Sequence, residues 1–197
     1  MTRLHSILDV AGLAVGSVYC TIPVFWLVFH RFVHHWRTYG RRAYFAMVPI
    51  WGLFIVAAFA LAWPIRHLHL YESNFPWVLG VMFLLAGFSI YRSAAQGFSR
   101  AQVFGLPEVE PGRHNEELVV TGIRAQVRHP IYLGHLCQVM GWTLGTGSLA
   151  LCALLIFGAI TGAVMLRQED NRLEERFGDV YRRYRAQVPA LLPRFPL

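Results

Sequence analysis

PIYLGHLCQVMGWTLGTGSLALCALLIFGAITGAVML, residues 130–166, runs for 37 residues without one Asp, Glu, Lys or Arg. A bilayer core takes about 20 helical residues to cross, so this length amounts to nearly two crossings. Gly145-Thr146-Gly147-Ser148 falls near its middle. Glycine clusters are poor helix formers, so the pattern predicts a tight helical hairpin turning there. Its first arm is short enough to be tilted or to sit partly under the membrane surface.

The same pattern repeats upstream. Apolar runs at about Ile7–Phe29, Tyr44–Trp63 and Pro76–Tyr91 predict three further spans. The first is too long for a signal-peptide core, carries Asp9, and is followed by His30-Arg31 rather than a cleavage site, so it reads as a retained membrane helix. The expected fold is therefore an all-α integral membrane protein of about five transmembrane helices. Residues 1–91 hold three spans, and residues 92–197 hold a polar loop, the hairpin and a C-terminal helix. In that helix Leu173, Phe177, Tyr181, Tyr184 and Val188 recur every three or four residues, giving an amphipathic face that continues past a break at Gly178-Asp179, with Asp179 as the cap. Pro189, Pro193 and Pro196 end it.

Only 15% of the chain is charged, against about a quarter in a soluble domain, and its net charge of +7 comes entirely from arginine, with no lysine. The arginines cluster at span ends, where they meet lipid headgroups, so nucleic acid is not the expected partner. Loops after the first, third and fifth spans are arginine-rich and the loop after the second is poor. That asymmetry puts the N-terminus outside and the C-terminus in the cytoplasm, in a bacterial inner membrane or its equivalent. The long polar loop and the terminal helix then share one side. Cys20, Cys137 and Cys152 lie in apolar runs and read as small hydrophobes.

Two segments are polar in a particular way. In Arg128-His129-Pro130-Ile131-Tyr132-Leu133-Gly134-His135, Pro130 suits a first helical turn, leaving Arg128 and His129 at a helix N-terminus that can hold an anion. Gly134, Cys137 and Gly141 form a small-residue stripe that admits a ligand or a helix. In Arg167-Gln168-Glu169-Asp170, Glu169 follows the last apolar run by less than a turn, and a carboxylate at that depth needs a partner, for which Arg128 is the candidate. Asp170, Glu174 and Glu175 read as a solvated helix end. His30 and His34 read as a basic flank, His67 and His69 as ordinary residues of the outer interface, and Gly158 with Gly162 as a helix-packing pair.

Leu118-Val119-Val120-Thr121-Gly122, the Val127–Gly134 segment, Glu169-Asp170, Leu173, Phe177-Gly178, Tyr181, Tyr184 and Val188-Pro189 together resemble the isoprenylcysteine carboxyl methyltransferase family, which is similar to the phospholipid N-methyltransferases. The likeness covers about the last 80 residues; the first three spans match only in hydropathy. It implies S-adenosylmethionine as methyl donor, held at the cytosolic face by Leu118, Val119, Gly122, Arg128, His129, Pro130, Tyr132, Gly134, His135 and Glu169. It implies a lipophilic or lipid substrate entering from the bilayer, with Glu169 and Arg128 at the reacting end. The sequence departs from the pattern twice: Arg124 stands where a tyrosine is usual, and Met165 where an arginine often precedes the glutamate, which weakens the case for carboxyl methylation. A thiol or amine acceptor would need a base, for which Glu169 and His135 are candidates. The alternatives are an NADPH-dependent sterol-type membrane reductase, which shares an Arg-His-Pro-x-Tyr-x-Gly segment but usually has an acidic residue at the place of His135, and a non-catalytic module of the same fold.

Overall fold

A computed structural model describes residues 3–96, 99–103, 105–110, 112–113 and 117–192. Pro111, Glu116, Pro193 and Pro196 lie outside the described residues. The protein is all-α: the helices are α1 (Arg3–Arg31), α2 (Val33–Tyr39), α3 (Tyr44–Ala62), α4 (Trp77–Ala95), α5 (Arg100–Val103), α6 (Leu106–Val109), α7 (Pro130–Thr146), α8 (Leu149–Phe177) and α9 (Asp179–Gln187). Among the described residues the one strand-like contact is an isolated bridge between His69 and Ser148.

Among the described residues four stretches are long and apolar enough to cross a membrane: His5–Arg31, Val33–Ile65, Trp77–Ala95 and Leu149–Phe177. The expected fourth span is α7, whose 17 residues reach only about 26 Å, short of a typical hydrocarbon core. It is the short arm of the predicted hairpin, and Gly147, at φ +65°, makes the turn into α8. Large apolar side chains on α3, among them Phe45, Leu53 and Leu61, point outward, as an integral membrane protein requires.

Close approach of α4 and α7 depends on glycine. A Cβ on Gly80 would sit 2.7 Å from the Gly141 carbonyl oxygen, and one on Gly141 would sit 2.8 Å from the Gly80 carbonyl oxygen. Gly134 lies under the ring of Tyr91 and Gly87 lies 3.1 Å from the Gly134 carbonyl by the same measure. The small-residue stripe of α7 therefore admits a helix rather than a ligand. In a bilayer, where burial of apolar surface gives helices little reason to associate, this backbone-to-backbone packing supplies much of the attraction.

The helix ends around the α7–α8 turn are pinned together. His69 is not an ordinary interface residue: its Nε2 lies 3.0 Å from the buried Asp9 carboxylate. Leu70 donates its N–H to the Gly147 carbonyl, Leu149 donates to that of Leu68, and the Tyr71 hydroxyl donates to that of Leu144. Two further expectations change at the opposite end. The last span does not stop near Leu166; α8 continues unbroken to Phe177, so its carboxylates ride on the spanning helix itself. Asp179 makes no side-chain cap, and pairs instead with Arg182 at 3.0 Å, while Gly178, at φ +56°, turns the chain from α8 into α9.

The glycine seam gives a direct test. Gly80→Ala should destabilise the protein by about 1–3 kcal/mol, because the new methyl meets backbone that has no rotamer to yield. A lowered melting midpoint in detergent would register this; an unchanged midpoint would show that the seam tolerates a methyl group.

Candidate functional site

Helix α1 presents Ile22, Trp26 and His30, four residues apart, to one cavity of about 260 Å³. Across it, α8 presents Met165, Glu169, Leu173 and Arg176, again at helical spacing, and the start of α7 presents Arg128 through Tyr132 with His135. Tyr181 and Tyr184 of α9, Leu118 and Val119 of the extended segment, and Glu108 of α6 close much of the rest. The wall is apolar around Ile22 and Met165 and carries charge at Glu108, Arg128, His129, Glu169, Arg172 and Arg176. Its volume lies near the lower end of small-molecule sites.

Beneath this cavity lies a charge cluster centred on Asp170, not Glu169. The Asp170 carboxylate is buried and accepts hydrogen bonds from Arg128 Nη2 at 2.7 Å, His129 Nε2 at 2.8 Å and the Tyr181 hydroxyl at 2.5 Å. It is not the solvated helix end that its position suggested, and it, rather than Glu169, is the partner of Arg128. Arg128 also donates through Nη1 to the backbone carbonyls of Val188 and Arg185. Two main-chain bonds, Arg128 N–H to Pro189 and His129 N–H to Ala190, strap the C-terminal segment against the start of α7.

His129 stands between two acids. Its Nε2 meets Asp170 and its Nδ1 lies 3.4 Å from Glu169. Burial alone would lower its pKa, but the Glu169 and Asp170 carboxylates outweigh burial and push it up to about 9, so the ring is an imidazolium at neutral pH. Burial and the Asp170 carboxylate push the Tyr181 hydroxyl up, which keeps it a donor. Glu169 opens onto the cavity, with 38% of its side chain accessible.

The structure brings Leu118, Val119, Arg128, His129, Pro130, Tyr132, His135 and Glu169 around the same cavity. Gly122 and Gly134 lie outside its lining. Gly122 holds a turn at φ +62° opening the 3-10 segment Gly122–Ala125, and Gly134 packs on Tyr91. Arg124 is buried on the cavity wall, and its Nη1 donates to the Ala94 carbonyl at the end of α4, where a cation is favoured. Tyr132 donates its hydroxyl to the Gly158 carbonyl, and its ring fills the space above Gly162. The Gly158 and Gly162 pair is thus partly a notch for a cavity residue.

Sequence reasoning missed two residues. Asp170 had one signal, the 11-residue step to Tyr181, which folds back once Gly178 turns the chain. His30 had another, its place at four and eight residues from Trp26 and Ile22. It is a buried part of the cavity wall rather than a basic flank. No group of three or more His, Cys, Asp or Glu among the described residues could hold a metal ion.

With this geometry established, comparison with known proteins is informative. The chain matches the family described as phospholipid methyltransferase over residues 75–180, just over half its length. It is 33% identical over 127 residues to the protein-S-isoprenylcysteine O-methyltransferase of Schizosaccharomyces pombe, covering 55% of this chain and 52% of that one. It is 33% identical over 87 residues to a nickel-cobalt-cadmium resistance protein of Alcaligenes xylosoxydans xylosoxydans, and 34% identical over 87 residues to a cobalt-zinc-cadmium resistance protein of Cupriavidus metallidurans. Each of these two matches covers 44% of this chain and 40% of the relative. The chain thus spans about half the length, or less, of these curated relatives. No solved structure matches it.

Two outcomes test the charge cluster. The folded protein holds the His129 proton more tightly than the unfolded chain, where histidine titrates near about 6.5. Its stabilising contribution is therefore complete below that pH and lost as pH rises through about 9. Melting midpoints in detergent should fall across that window, and His129→Gln should flatten the fall; parallel profiles would separate His129 from the effect. Asp170→Asn, which strands a buried Arg128, should cost about 3–5 kcal/mol.

Proposed function

We propose methyl transfer at the membrane face as the activity of this chain, which belongs to the phospholipid methyltransferase family. The donor is S-adenosylmethionine and the acceptor a lipophilic molecule reaching the cavity from the bilayer. The observation that carries this reading is the convergence of the α7 start, Glu169 and α9 on one cavity, charged toward the headgroups and apolar toward the membrane interior. By the arginine distribution, that charged end faces the cytoplasm.

The side chains present suit such a donor. When bound, S-adenosylmethionine supplies a methyl group activated by its sulfonium charge. The first turn of α7, with the His129 imidazolium, offers positive potential to a carboxylate. Glu169 and Glu117 on the wall offer negative charge to an ammonium or sulfonium. Ile131, Leu118, Val119 and Leu173 offer an apolar slot to a purine. Arg128 contributes indirectly: with its guanidinium committed to Asp170, it fixes the α7 start and the C-terminal strap that shape the pocket.

The chain's role in the chemistry is positioning. Transfer needs the nucleophile in line and about 3 Å from the methyl carbon, and rigid helices on three sides can impose that. The apolar depth of the cavity excludes water and strengthens the electrostatic interactions at its charged end.

S-adenosylhomocysteine should raise the melting midpoint of the purified protein, by about 2.7 kcal/mol of added stability at a hundredfold excess over Kd, and NADPH should not. A shift with NADPH alone would favour the reductase, and a shift with neither would favour the non-catalytic module. Glu169→Gln should cut incorporation of donor methyl label into membrane lipid extract at least tenfold, with the ligand-free midpoint retained. Incorporation near the wild-type level would remove Glu169 from the reacting end.

A further inference from the structure

Resting on the methyl-transfer reading, we propose that His30, contributed by the first transmembrane helix, is the base for an acceptor that sheds a proton on methylation, a lipophilic thiol. His30 lies on the cavity wall one turn beyond Trp26 and two beyond Ile22, at the boundary between the apolar depth and the charged end. It is 6% exposed, and its Nδ1 is buried with no hydrogen-bond partner among the described residues. A buried ring nitrogen without a partner is costly to keep, and a site that uses its proton affinity accounts for the cost.

The other candidate bases are already engaged. The Nδ1 of His135 shares a hydrogen bond with the Tyr91 hydroxyl at 2.9 Å. Glu169 is paired with the His129 imidazolium. Glu169 is also near enough to His30 to act on it electrostatically, so it would stabilise the imidazolium that forms. Arg172, which donates to the His30 backbone carbonyl, opposes that charge, but is itself paired with Glu108 at 3.8 Å. Among the described residues Glu169 and Arg172, both on α8, are the charged groups that act on the ring.

The same charges select the acceptor. A carboxylate brought beside His30 would meet the Glu169 carboxylate, a like charge, on the wall next to Met165. A thiol enters neutral. As the new S–CH3 bond forms, the methyl-to-sulfonium bond breaks and the S–H proton passes to the His30 ring, leaving a neutral thioether; the proton then departs through the cavity. A thiol gives up its proton far more readily than an alcohol does, which suits it to a neutral imidazole base.

The test uses the full chain in lipid nanodiscs, with S-adenosylmethionine as donor and decanethiol or decanoate as acceptor. Wild-type protein should methylate decanethiol in preference to decanoate. His30→Gln should lower the decanethiol rate about a hundredfold at pH 7, and the gap should close as pH rises and the thiol ionises unaided. Affinity for S-adenosylhomocysteine should stay within about threefold of wild type. His30→Asn, with the same readouts, serves if the Gln variant does not fold. A decanethiol rate within about threefold of wild type at pH 7, a deficit that persists at high pH, or a wild-type preference for decanoate would each overturn the role of His30. If wild-type protein binds no S-adenosylhomocysteine, the methyl-transfer reading fails and this proposal fails with it; decanoate methylation with normal binding sinks this proposal alone.

Discussion

A carboxylate taken out of water at the edge of a membrane has to be surrounded by donors, and Asp170 is surrounded by three. Arg128 and His129 come from the start of α7, Tyr181 from α9, and the acid itself from the spanning helix α8. The start of α7, the spanning helix α8 and, across the Gly178 turn, α9 are thereby joined at one point. Each ion is costly to desolvate, so none of the three side chains can leave without stranding the others. The backbone bonds from residues 128 and 129 to Pro189 and Ala190 follow from that joint, because the same turn of chain that brings Tyr181 to Asp170 brings the C-terminal segment under the α7 start.

Packing in the membrane obeys a different constraint. α4 and α7 meet along Gly80, Gly87, Gly134 and Gly141, where the two backbones touch. No side-chain freedom is lost there on association, and dispersion contacts between main chains replace the hydrophobic drive that lipid does not supply. This fixes the α7 wall of the cavity against a rigid neighbour. α1 and α8 close the opposite side through Gly12, Gly16 and Gly158.

The spans, the hairpin turn and the membrane setting were legible in the sequence because hydropathy and glycine placement act locally. Part of the cavity's lining was legible too, through the Arg-His-Pro segment and the acidic end of the last run. What could not be read was rotation about a helix axis. Glu169 and Asp170 are neighbours in sequence, yet a step of one residue turns the side chain by about 100°, so one faces the cavity and the other the buried cluster. Their assignments were exchanged for that reason: Arg128 belongs to Asp170. Gly134 posed the same difficulty, since a small residue admits a ligand or a helix equally well, and only the placement of Tyr91 decides. His30 and His69 lie at span ends where histidine is ordinary, and their partners or lack of them emerge only in three dimensions.

The unbroken course of α8 from Leu149 to Phe177 has a mechanical consequence. A continuous helix of 29 residues is a lever about 43 Å long, with its first turn fastened to the loop that carries Leu68 and its second half bearing Glu169 and Asp170. Bilayers of different thickness are accommodated by changes in helix tilt. A few degrees of tilt about the fastened end displaces the far end by about 2 Å, comparable to the tolerance within which reacting groups must be held. The thickness and composition of the surrounding lipid thus enter the geometry of the pocket directly, without any lipid occupying it.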